Sequence, residues 1–184
     1  AICFIRYSKP VYPGAFLIDA HGEKAAFQWC QGVVANMARK PQGGDRDQIR
    51  AVAAGVGDVA VANHYYYMQM LKSDEPADRA AAAKVAVLFP NQNDRGTHVN
   101  ICGAGVTKSS PNRENAVKFV EFLTTDEAQE LFAAGNYEYP VVENVELVPA
   151  LKSLGSFKED TVSAHVFGKY NSDAVRLMDR AGWR

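Results

Sequence analysis

Three consecutive tyrosines, Tyr65, Tyr66 and Tyr67, follow a short alternating apolar run in the stretch GDVAVANHYYYMQML. A phenol with a solution pKa of about 10 is neutral at pH 7 and turns anionic only where a strong cation compensates. As a phenolate it is a hard oxygen donor, which suits a hard trivalent cation such as ferric iron better than imidazole or thiolate does. Neighbouring helical residues point about 100° apart, so one packed face cannot receive all three rings. At least one must face something other than the core. Two readings stand on pattern alone. Either the phenols fan from a helix start as metal donors, or Tyr65 and Tyr67 cap a sheet while Tyr66 is exposed.

Two further residues belong to the same question. Tyr12 lies in the proline-broken stretch KPVYPG after a first strand, and Arg6 ends that strand. If that strand and the one before the tyrosines run side by side in parallel, their carboxyl-end loops share one edge and bring Tyr12 toward Tyr65 and Tyr66. Otherwise Tyr12 is a turn residue between Pro10 and Pro13. Arg6 could hold an anion at that edge, or serve as a surface or ion-paired arginine. The loop PQGGDRDQ precedes a helix but lacks the P-loop lysine and serine.

Turnover chemistry is not legible. His21, His64, His98 and His165 show no HExxH or HxH spacing, and no GxSxG elbow occurs. Cys3, Cys30 and Cys102 are too scattered for a CxxC pair and read as small buried hydrophobes. Nothing assembles a nucleophile with its base, so the chain reads as a binding protein and not an enzyme.

The elements that must position these groups alternate. A strand over 1–6 is followed by a proline break and by helix from Ala15, divided near His21–Gly22. A helix capped at Asp45 and stopped by Gly55 and Gly57 leads to a strand around Val59 and Val61, then to the tyrosine helix. VAVLF at 85–89 and a segment within 90–107 read as further strands, and a helical pair with Thr125 before its second member follows. This order predicts an α/β layer with a mainly parallel sheet, whose ligand edge is the carboxyl end of its strands.

Composition bounds the partners. The 184 residues carry 20 basic and 21 acidic side chains, with no Lys/Arg run beyond two, which excludes an electrostatic footprint for nucleic acid. No apolar run approaches the roughly 20 residues of a membrane span. No signal peptide is visible, and the opening AICFIRYS reads as a strand already under way, so Ala1 is expected to be a cut or truncation point.

Three segments carry a resemblance: PQGGDRDQIRAVAAGVGDVAVANHYYY, GTHVNICGAGVTKSSPNRENAVKFVEFLTTDEAQELFA and NYEYPV. They look like the ferric iron-binding periplasmic proteins of ABC importers, the tyrosine-ligand branch of the class II solute-binding proteins. The similarity runs over essentially the whole chain. It implies a periplasmic-binding-protein-like fold of type II, represented by the second lobe with most of the first lobe missing. Residues 1–100 would be the second-lobe core, 101–142 a hinge return and a helical pair that packs on the first lobe, and 143–184 a helical tail. It also implies Fe(3+) held by Tyr65, Tyr66 and Tyr12, with Tyr67 not a ligand and Arg6 on a synergistic anion such as carbonate.

A periplasmic location and an ABC importer permease as partner follow from the same resemblance. Three phenolates would balance the ferric charge and leave about three of six octahedral positions to water, anion or another chain. The apolar face of 116–132, lacking its lobe, would favour a homodimer or a swapped arrangement. Two alternatives remain beside iron uptake: a remnant lobe that acts by oligomerising, and a solute-binding protein for another small anion.

Overall fold

The computed structural model describes residues 2–3 and 11–183, with side-chain surroundings from residue 14 to residue 183. Strand β1 (Ile2–Cys3) pairs in parallel with β2 (Val59–Ala60), Ile2 opposite Val59 and Cys3 opposite Ala60. Helix α1 (Val11–Ala35) follows β1 and helix α3 (His64–Leu71) follows β2. Parallel strands end at the same edge, and α3 opens within a few residues of the end of β2.

Helix α1 begins at Val11, earlier than the expected Ala15. Pro13 falls in the first turn, where a missing N–H costs nothing, so the proline opens the helix instead of breaking it. Gly22, with φ 78° and ψ 163°, interrupts α1 as the His21–Gly22 pair predicts. Helix α2 (Asp45–Ala53) starts after Gly44, whose N–H donates to the Asp47 carboxylate at 2.8 Å. It ends at Ala53, with Ala54 as C-cap and Gly55 at φ 77° just beyond, where the Val56 N–H reaches Ala51 O and the Gly55 N–H reaches Val52 O, both at 2.9 Å. That paired closure needs a left-handed residue, which glycine supplies without a Cβ clash.

The chain divides into two compact units, Ala1–Leu88 with Asp160–Arg184, and Phe89–Glu159. The first unit has two apolar clusters. In the larger, α1 packs on α8 (His165–Ala181), with Ala15, Ile18, Cys30 and Val33 meeting Ala174, Leu177 and Met178. A Cβ at Gly14 would stand 3.0 Å from that of Ala174, so the small pair sets how closely the helices cross. The smaller cluster joins Ile49 of α2, Met70 of α3 and Ala82 of α4 (Pro76–Ala82). Arg50 ties α2 to α4 through the buried Asp78 at 2.7 Å.

The second unit holds α5 (Arg113–Phe122), α6 (Asp126–Asn136) and α7 (Pro149–Lys152). Thr125 caps α6, its hydroxyl accepting from the Ala128 N–H at 3.3 Å. The buried Gln129 amide donates to Leu123 O and accepts from the Val141 N–H, fixing both flanks of α6. Phe89 stacks on Phe157 with centroids 4.2 Å apart. By contrast α5 buries none of its residues, and Phe119 and Leu131 are 61% and 64% exposed.

The expected mainly parallel sheet is represented among the described residues by the β1–β2 pair alone. The apolar run at 85–89 forms no ladder, and the expected third strand contributes one parallel bridge, Thr97 to Glu159. Strand composition needs a neighbouring backbone to complete its hydrogen bonds, and Leu88 and Ile101 instead stand 81% and 60% exposed. No helix among the described residues is long and apolar enough to cross a membrane.

Leu177 is 1% exposed between α1 and α8, so Leu177→Ala should cost about 2–5 kcal/mol in a urea titration. Val175→Ala, on the open side of the same helix, should stay within about 0.5 kcal/mol of the parent.

Candidate metal-binding site

Helix α3 opens immediately after the β2 segment, with Asn63 as its N-cap in an extended conformation. Asp45, at the first turn of α2 and only 5% exposed, accepts the Asn63 N–H at 2.8 Å. This contact fixes the first turn of α3 against α2. The tyrosines therefore leave from a helix N-terminus, where the exposed peptide N–H groups favour negative charge.

The three phenols take different surroundings. Tyr65 accepts a 2.6 Å hydrogen bond from the Asn63 Nδ2 amide, and its ring meets that of His64 edge-on at 5.7 Å. Tyr66 lies against Tyr65, centroids 4.6 Å apart and planes tilted by 46°, and the Arg46 guanidinium stands 6.0 Å over its ring. Tyr66 and Tyr67 both pack on the Ile49, Met70 and Ala82 cluster. The Tyr67 hydroxyl donates to Val85 O at 3.4 Å, which ties that ring to the core side.

Burial pushes the Tyr65 phenol up to about 12, and the neighbouring Tyr66 and Asp45 add to the rise. A hydrogen bond shared with Tyr66 also favours the protonated form, whereas the Asn63 amide works the other way by favouring phenolate. At pH 7 Tyr65 is therefore a neutral phenol whose proton leaves only for a strong local cation.

Of the four predicted site residues, Tyr65 and Tyr66 are side by side. Tyr12 falls in the first turn of α1 rather than in a loop, and its side chain lies outside the described residues, as does Arg6 altogether. Among the described residues no group of three or more His, Cys, Asp or Glu side chains gathers as metal donors. Cys30 is a buried thiol pushed up to about 11 by its surroundings, as expected of a core cysteine, but Cys102 is exposed, against expectation. Asp45 and Asn63 were missed as neighbours of the tyrosines. An asparagine directly before a predicted helix was visible as a cap, but its contact with Asp45 spans 18 positions and leaves no local pattern.

Residues 7–159 match a family described as bacterial extracellular solute-binding protein. Iron uptake protein A2 of Synechocystis sp. (strain ATCC 27184 / PCC 6803 / Kazusa) is 49% identical over 91% of this chain and 49% of its own length. The major ferric iron-binding protein of Neisseria meningitidis serogroup B is 30% identical over 93% of this chain and 51% of its own. The chain thus spans about half the length of these curated relatives. The solved structure of the Trichodesmium IdiA (FutA) protein, in complex with iron and citrate ligands, is 51% identical, with a TM-score of 0.92 over 100% of this chain and 58% of that one.

Raising the pH tests the Tyr65 environment without any metal. Between pH of about 10 and about 12 the unfolded chain releases a proton that folded Tyr65 keeps, so stability should fall across that window. Phenolate absorbance should show a late-ionising fraction to which the half-buried Tyr139 also contributes, and Tyr65→Phe should reduce that fraction by one tyrosine. If the variant leaves the late fraction unchanged, the proton belongs elsewhere.

Proposed function

This chain belongs to the bacterial extracellular solute-binding protein family, binding proteins and not enzymes, and from that premise we propose that it binds ferric iron through tyrosine phenolates. Tyr65 and Tyr66 supply two of the oxygens and Tyr12 a third. The observation that carries this reading is the contact of the Tyr65 and Tyr66 rings, 4.6 Å apart at the start of α3. The named iron uptake and ferric iron-binding relatives support it.

The binding step is an exchange of protons for metal. Ferric iron displaces the phenol protons, and the fixed peptide dipoles at the helix start favour the resulting anions. Three phenolates neutralise the ion and leave about three coordination positions. A small anion fills some of them, carbonate or a carboxylate such as citrate, and Arg6 holds it. Iron is cargo here, so the protein's contribution is to hold and release it at the periplasmic side of an ABC importer permease. The mainly parallel second lobe carrying the tyrosines, the three-part division at 100 and 142, and the helical pair as a lobe-packing segment belong to the same proposal.

A second reading is favoured by the exposed Phe119, Phe122, Leu131 and Phe132 of α5 and α6. On that reading the chain acts by association, as a homodimer or on another protein, and iron is incidental. One experiment separates the two. The chain titrated with ferric citrate should turn coloured through phenolate-to-iron charge transfer, and Tyr65→Phe/Tyr66→Phe should lose the colour and most of the iron. Colourless protein whose light scattering reports assembly regardless of iron would favour the second reading.

A further inference from the structure

A helix N-cap asparagine ordinarily turns its side-chain oxygen to the N–H groups of the first turn, a contact whose loss costs about 1 kcal/mol. Asn63 makes no such cap bond. Its amide instead donates to the Tyr65 oxygen at 2.6 Å, while its own backbone N–H is taken by the buried Asp45 carboxylate at 2.8 Å. The usual local stabilisation is thus forgone at a position whose side chain reaches the first phenol instead. Asp45 sits on a different helix, so the orientation of Asn63 is set from outside α3.

We propose that Asn63 is a positioning residue for the cargo: its amide holds the Tyr65 oxygen in place for the metal, and Asp45 holds Asn63. This rests on the reading that Tyr65 ligates iron. A phenolate oxygen keeps lone pairs for both the metal and one amide donor. The donor fixes the ring's orientation and draws charge from the oxygen, as outer partners of metal ligands do. Tyr66 has a different neighbour in Arg46, so the two phenolates are not equivalent.

The test uses the full chain loaded with ferric citrate and challenged with excess chelator. Asn63→Leu keeps about the side-chain size while removing the donor and adds neither a charge nor a metal ligand. It should stay folded, as read by circular dichroism, release iron about 10–100-fold faster, and shift the visible band. Asn63→Ala should release iron equally fast. Asp45→Asn, which keeps an acceptor for the Asn63 N–H, should stay near the parent, and Asp45→Ala should behave like Asn63→Ala. Parent-like release and an unshifted band in both Asn63 variants overturn the proposal. Equal effects of Asp45→Asn and Asp45→Ala overturn the part given to Asp45. A parent chain that takes up no iron sinks the underlying reading and this one together, whereas colour that depends on Tyr65 with no effect of Asn63 removes this one alone.

Discussion

Consecutive residues on a helix point about 100° apart, and that constraint divides the three phenols of α3. Tyr67 turns to the small core of Ile49, Met70 and Ala82 and donates to Val85 O. Tyr65 cannot follow it and faces the Asn63 amide. Tyr66 stands between, packed on that core along part of its ring and against Tyr65 on another side. A sequence that needed only to fill a core would gain nothing from a third ring at this corner. The geometry instead leaves two phenols in contact at a helix start that favours anions.

Holding two phenols there takes several elements. The β2 strand, paired in parallel with β1, leads into α3, and the glycine-closed end of α2 turns the chain back into β2. Asp45 then clamps the N-cap of α3. Each device is local in cost and distant in effect. The half-buried Tyr65 is comfortable as a neutral phenol and uncomfortable as an anion, so only a strong cation drives its ionisation at neutral pH.

Much of this was legible in the sequence because it is local. Gly22 and Gly55 mark backbone conformations that side chains disfavour, and both interrupt or end a helix where expected. The strand-to-helix change before the tyrosines is likewise where the pattern put it. Pro13 misled because proline forbids a helix interior but fits a first turn. The apolar runs at 85–89 and within 90–107 misled for another reason: composition reports what a strand would bury, not whether a partner backbone lies beside it. The Asp45 clamp was illegible because only tertiary contact brings its two ends together. Tyr12 as a ligand rests on resemblance, and its side chain lies outside the described residues.

The central claim is that phenolate oxygens of Tyr65 and Tyr66 bind ferric iron directly. Resonance Raman scattering excited within the visible band of the iron-loaded chain reads that bond most directly, because only ring modes of phenolates coupled to the metal are enhanced. The account predicts enhanced tyrosinate ring modes that weaken in Tyr65→Phe and in Tyr66→Phe separately. An iron-loaded chain whose visible excitation enhances no tyrosinate mode, or whose enhanced modes survive in the doubly substituted chain, would contradict it.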